Sequence, residues 1–194
     1  FPYTTLFRSL DENTVRIVNV HSKLTLREGT MLLFEFHGSP NGVKEQVQTV
    51  QDIAAEFGGA AFEWAETPEE RTRLWTARHN AYFAGVQSVP GCKAITTDTC
   101  VPISHLADAL LDSVTEVQEA GLPYFMVGHV GDGNFHMGYL IDPDKPEERV
   151  LAEKLKTELN TLASLKINIT SSSQSGSSGG RGTGRAGGVQ GPPR

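Results

Sequence analysis

Cysteine is scarce in this chain: Cys92 and Cys100 are the only two, and no Cys-x-x-Cys pair occurs. A disulfide framework and a thiolate zinc site are therefore excluded as organising devices, and a reducing setting is the natural reading. No apolar run approaches the ~20 residues of a membrane helix; Met31-Leu32-Leu33-Phe34 and Phe125-Met126-Val127 are strand-sized. Basic charge is also short. Seventeen Lys and Arg against 23 Asp and Glu leave a net charge of −6, which argues against non-specific affinity for nucleic acid. No Gly-x-Gly-x-x-Gly follows a strand pattern and no Gly-x-x-x-x-Gly-Lys is present, so neither a Rossmann nor a P-loop nucleotide site is indicated. A His-Glu-x-x-His helix is lacking too, which leaves a zinc hydrolase without its motif. The first residues show no basic, apolar and cleavage regions of a secretory signal.

What remains is enough for one domain with a core in 194 residues, framed by two unusual ends. Residues 1–9 fit no element and resemble translated sequencing-adaptor DNA. Residues 166–194 are dominated from Ser171 by Ser, Gly, Arg and Pro, a composition with too little apolar surface to offset the entropy of ordering, so disorder is expected. A basic Gly-Arg appendage and a frameshifted or fused end are the two readings of that tail. The domain is expected over residues 10–165.

Within it, helical and extended patterns alternate. Helices are expected over residues 10–23, 43–57, from Thr67 onward, from Ser104 to about residue 120, and over 147–162. Thr67 is a cap with Pro68 at the first helical position and Glu69 and Glu70 in the first turn. Strands are expected over residues 30–37, 62–65, 124–130 and 135–141, with 93–102 extended. Strands that alternate with helices yet include a hairpin predict α+β architecture, a mixed or antiparallel sheet with helices packed on one face.

The hairpin carries the chemistry. His129-Val130-Gly131-Asp132-Gly133-Asn134-Phe135-His136 places Asp-Gly between two apolar runs, the signal for a two-residue type I′ turn. With Asp132-Gly133 as the loop, His129 faces His136, and opposed Cβ atoms stand roughly 4.5–5.5 Å apart on one face. Two readings fit: imidazoles that stack on the sheet, or imidazoles that converge on a divalent cation. For a metal, two ligands fall short of the three or four that zinc takes, and spacing names no third. Arg78 is expected on a helix beside Trp75 and Tyr82. Its planar fork suits a bidentate carboxylate, and the alternative is an exposed arginine paired with Glu70 or another acid. Asn134 fits either turn chemistry or a contact made by its donor and acceptor pair. Asp132 is most simply a turn residue.

These residues also carry a resemblance. His129 to His136 is similar to the signature in the C-terminal domain of FAD-linked 2-hydroxy-acid dehydrogenases, especially the cytochrome-linked D-lactate dehydrogenase group. Phe34-Glu35-Phe36-His37-Gly38-Ser39, Leu74-Trp75-Thr76-Ala77-Arg78-His79-Asn80-Ala81 and Thr97-Asp98-Thr99-Cys100-Val101-Pro102-Ile103-Ser104 resemble three further blocks of that family in the same order. The resemblance implies a ferredoxin-like cap domain, oxidation of a D-2-hydroxy acid (D-lactate first, glycolate or D-2-hydroxyglutarate as relatives) and electron transfer through FAD to cytochrome c or a quinone. It assigns the substrate carboxylate to Arg78, a flavin or substrate contact to Asn134, and zinc or manganese to His129 and His136. Bacterial cytoplasm, with membrane association, is the first placement expected, and the mitochondrion the alternative.

The sequence departs from the family in two ways. The family carries a Gly-Glu-His-Gly segment after the helix that starts near Glu147, supplying a third metal ligand and a base; here Ser164-Leu165-Lys166-Ile167-Asn168 runs into the tail. The flavin-binding domain is not in this chain either. The expectation is a cap-domain fragment that holds no catalytic base, binds FAD weakly and is inactive alone. The competing expectation is a non-catalytic divalent-metal module.

Overall fold

The computed structural model describes residues 4–59, 62–65 and 67–175, with side chains from residue 8 to residue 165. Six strands form one antiparallel sheet: β1 (Thr4–Leu10), β2 (Met31–Phe36), β3 (Lys93–Thr96), β4 (Thr99–Cys100), β5 (Tyr124–His129) and β6 (Asn134–Ile141). Their order is β2-β1-β5-β6-β3, with β4 paired to β6 beyond Thr97. Five helices accompany them: α1 (Glu12–Ser22), α2 (Pro40–Glu56), α3 (Pro68–Gln87), α4 (Leu106–Glu119) and α5 (Pro146–Ser175).

The α+β class and antiparallel pairing are as expected, but helices cover both faces of the sheet rather than one. Period-two alternation explains how. Tyr124, Met126, Phe135, Met137, Tyr139 and Ile141 pack on one side with Leu106, Ala109 and Val117 of α4 and Ala152, Leu155 and Leu159 of α5. Val127 and Leu10 pack on the other with Val15 and Val18 of α1 and Ala77, Ala81 and Ala84 of α3. The buried stripe of α3 is thus made of small residues, which lets the helix lie close. The Phe125 ring fills the gap between Gly85 of α3 and Gly138 of β6, since a Cβ on either glycine would fall 2.3 Å or 2.2 Å from that ring.

Three local expectations change. Residues 4–9 do not stand outside the fold: they run in β1, paired with β2 and β5. A ladder is made by backbone groups, so it forms wherever the segment's sequence originates. Residues 62–65 form no strand. The last helix does not stop at residue 162 but continues to Ser175, ten residues into the stretch expected to be disordered; residues 176–194 lie outside the described residues.

Helix starts follow local chemistry. Thr67 and Glu70 form a reciprocal capping box at α3. Ser39 caps α2, so the helix begins at Pro40, inside the stretch expected as loop. Ser104 caps nothing: it sits in a 3-10 turn, Ile103–His105, that leads into α4. Asp11 caps α1, accepting from the amides of Asn13 and Thr14 and from the Thr14 hydroxyl. Thr14 Oγ1 in turn accepts from Met126 N at 2.8 Å, and Asn13 Nδ2 donates to the Tyr124 carbonyl at 2.6 Å. These bonds pin the first turn of α1 to β5.

Candidate active site

The β5–β6 connection differs from the expected two-residue turn. Residues Val130–Asp132 make a 3-10 turn and Gly133 takes the left-handed position, φ 70°. The loop therefore has four residues, and His129 pairs with Asn134 while His136 pairs with Val127. Two causes are visible. Val130 turns into the core below the sheet, and the Gly133 carbonyl accepts from Val101 N at 2.9 Å. Glycine is needed at 133 both for its positive φ and because a Cβ there would lie 2.2 Å from the Val101 carbonyl oxygen.

The register is displaced by two residues, and an even shift keeps every side chain on its face. His129 and His136 consequently still meet, as diagonal neighbours. Their ring centroids are 5.3 Å apart with planes at 88°. Asn134 shares that face, at the end of the sheet beyond the apolar cover of α1 and α3.

Arg78 reaches the same spot from α3. It follows Ala77 at the edge of the small-residue stripe, and its Nη2 lies 3.3 Å from His129 Nε2. Its Nε is buried with no hydrogen-bond partner among the described residues. Burial pushes the guanidinium pKa down, and the charge acting on it is the like charge of Arg8. The alternative of an exposed arginine neutralised by an acid is not what the structure shows. His129 is pushed below its ordinary value of 6.5 by burial, then by the positive charges of Arg8 and Arg78 and by His136, against a smaller opposing pull from Asp132. Its ring is thus neutral at pH 7, and the Arg78 contact uses its Nε2 lone pair.

Arg8 was outside the sequence-level candidates because it lies in the segment expected to be foreign. Leu10 pairs with Val127 and Ser9 with Gly128, so continuing the ladder sets Arg8 beside His129. Its guanidinium is 4.0 Å from Asp132 Oδ2. Asp98 was likewise missed. It accepts from Asn134 Nδ2 at 2.8 Å and lies 3.6 Å from His136 Nδ1, which is 3.2 Å from the Thr97 carbonyl. Its signal in the sequence was membership of the Thr97-Asp98-Thr99-Cys100-Val101-Pro102 block, without a named partner.

All four residues proposed from the sequence, Arg78, His129, Asn134 and His136, therefore gather at one end of the sheet. As a metal centre the donor set is partial. Two imidazoles are suitable ligands, yet no group of three or more His, Cys, Asp or Glu able to hold a metal ion occurs among the described residues. As an anion site the set is better matched, since the Arg78 Nε is buried without an acceptor among the described residues and the charge acting on its guanidinium is the like charge of Arg8.

Comparison with known proteins identifies the family. The family described as FAD linked oxidases, C-terminal domain, matches residues 3–168. The chain belongs to that family. Among curated relatives it is 40% identical over 139 residues to the probable mitochondrial D-lactate dehydrogenase of Danio rerio, covering 72% of this chain and 28% of that protein. It is 40% identical over 146 residues to the mitochondrial D-lactate dehydrogenase [cytochrome] of Arabidopsis thaliana, covering 75% and 26%. The glycolate oxidase subunit GlcD of Escherichia coli strain K12 is 30% identical over 136 residues, 70% and 27% of the two chains. Each alignment thus spans about a quarter of the relative's length. No described helix is long and apolar enough to cross a membrane.

Proposed function

We propose that this chain forms the substrate-facing part of an FAD-dependent oxidoreductase that converts a D-2-hydroxy acid, D-lactate first, to the 2-oxo acid. The observation that carries the reading is Arg78: a largely buried guanidinium with, among the described residues, no acid acting on it and no partner for its buried Nε. An uncompensated buried cation is costly, and a ligand carboxylate offers the bidentate acceptor that would neutralise it. In this reading Arg78 holds the carboxylate and so turns the single α-hydrogen of D-lactate toward the flavin. Asn134 contacts flavin or substrate. FAD, when bound, would supply the hydride acceptor and the route for electrons to a cytochrome- or quinone-type acceptor, most of its binding groups lying outside the residues described.

His129 and His136 are proposed as two ligands of a divalent zinc or manganese ion that polarises the substrate hydroxyl, further ligands coming from outside the described residues. Neutral His129 suits that role. Its Nε2 has one lone pair, however, so metal ligation there and the Arg78 contact exclude each other. Arg78 would leave His129 for the substrate carboxylate as the metal enters. The names of the D-lactate dehydrogenase relatives favour a mitochondrial placement over the bacterial cytoplasm first expected. Glycolate or D-2-hydroxyglutarate remain the alternative substrates, since proteins named for them are among the relatives.

The test is an NMR titration of the full chain with D-lactate, following the Arg78 Nε–H and His129 ring signals, with propane-1,2-diol as the uncharged control. A saturable shift caused by D-lactate, not by the diol, and lost in Arg78→Met is expected. Equal responses to both, or a response that survives Arg78→Met, would remove Arg78 from substrate binding. Repeating the titration with glycolate and D-2-hydroxyglutarate ranks the substrates. Stoichiometric metal binding without any response to hydroxy acids would favour the non-catalytic metal module.

A further inference from the structure

Thr97 and Asp98 sit where β3 gives way to β4, and both face His136 of β6. Thr97 is buried and fastened to Met137 twice, through its amide to the Met137 carbonyl at 2.9 Å and through its hydroxyl, which accepts from Met137 N at 2.9 Å. Its own carbonyl is thereby held 3.2 Å from His136 Nδ1. Asp98 Oδ1 accepts from Asn134 Nδ2 at 2.8 Å and stands 3.6 Å from the same His136 nitrogen. A carbonyl and an ionised carboxylate can only accept. The atoms that face them must therefore carry hydrogen.

We propose that Asp98, acting with the Thr97 carbonyl, is a positioning residue that fixes the polarity of the site. It holds the Asn134 amide with its NH2 turned to Asp98 and His136 in the Nδ1–H tautomer. The Asn134 Oδ1 and the His136 Nε2 are then both left as electron-pair donors on one face of β6. A neutral histidine whose Nδ1–H is tied to an oxygen is the form in which Nε2 ligates a cation, and such partners orient the ring and raise its basicity. The consequence for metal affinity rests on the metal reading above; the assignment of tautomer and amide orientation does not.

The experiment uses the uniformly 15N-labelled full chain, wild type beside Asp98→Ala and Asp98→Asn. The histidine ring nitrogens report the His136 tautomer without added metal, and Mn2+ is then titrated while its broadening of the His136 signals is followed. We expect the Nδ1–H form in the wild type, a mixture of tautomers in Asp98→Ala, and a return toward the wild-type form in Asp98→Asn, whose amide oxygen still accepts from Asn134. Mn2+ affinity should fall about tenfold in Asp98→Ala. An Nε2–H wild type overturns the proposal, as does an Asp98→Ala variant with unchanged tautomer. An Asp98→Asn variant no better than Asp98→Ala also overturns it, because charge rather than acceptor geometry would then be responsible. Tautomer changes as expected with no Mn2+ broadening in any form would support the positioning role and count against the metal reading.

Discussion

The two faces of the β5–β6 hairpin come from the same residues taken alternately, yet they serve opposite ends. On the α4–α5 face Met126, Val130, Phe135, Met137, Tyr139 and Ile141 are all buried among apolar neighbours from end to end. On the α1–α3 face the cover is apolar only around Phe125 and Val127, and toward the turn it gives way to His129, Asn134, His136 and Arg78. The first face makes the hairpin stable; the second uses that stability to hold polar groups that would not otherwise stay together. A charge with no counter-ion among the described residues is tolerated at one end of a sheet because the opposite face supplies the free energy that keeps the sheet formed.

The sharpest way to break this division is to cut into the dry face. Phe135→Ala, at a fully buried position, should lower unfolding free energy by about 3–5 kcal/mol, read from urea denaturation. A loss under about 1 kcal/mol, well short of the usual range, would mean that this face is not the stabilising one. Next comes the apolar end of the other face. Gly138→Ala drives a methyl into the Phe125 ring and should cost about 1–3 kcal/mol, with part recovered when Phe125→Leu makes room. Additive losses in the double variant would show that the ring is not the obstruction.

Smaller again is the cap that ties α1 to this hairpin. Asp11→Ala should cost about 1 kcal/mol, whereas Asp11→Asn keeps the cap and should cost less. The pH dependence separates charge from capping. Burial is the largest influence on Asp11 and raises its carboxyl pKa above 3.8, against the hydrogen bonds from Thr14 and Asn13. Between 3.8 and the raised value the folded state binds more protons than the unfolded, so this group's contribution falls as pH rises through that window. Thermal midpoints of the wild type should therefore drop relative to Asp11→Asn on going from below that window to pH 7. Parallel curves would sink the assignment.

The smallest change in stability is expected at the polar end itself. Arg78→Met removes a charge that no acid among the described residues balances, so stability should stay within about 0.5 kcal/mol of the wild type or rise slightly. A loss comparable to Phe135→Ala would make Arg78 a structural residue and erase the contrast between the two ends.

Much of this was readable in the sequence because the signals were local. The cap at Thr67 with its acidic first turn, the two strands of the hairpin and the shared face of the two histidines all follow from spacing within a few residues. Where the reading failed, something distant decided. Asp132-Gly133 reads as a two-residue turn until Val101 pairs with Gly133 from across the sheet and Val130 finds a pocket below it. The three- and four-residue spacing of Val47, Val50, Ile53, Ala54 and Phe57 marks a helix over residues 43–57, yet Phe57 is 86% exposed and Ile53 45%, because α2 packs at β2, an edge strand.

By itself, then, the sequence determined the alternation of elements, the chemistry carried by Arg78, Asn134, His129 and His136, and the face on which the hairpin residues lie, since each depends on periodicity along one stretch of chain. Only the tertiary structure decided that helices cover both faces, that Arg78 meets His129, and that Asp98 lies against Asn134 and His136. Those facts are contacts between residues 36 to 51 positions apart. They are fixed by where packing leaves each backbone, which no local pattern encodes.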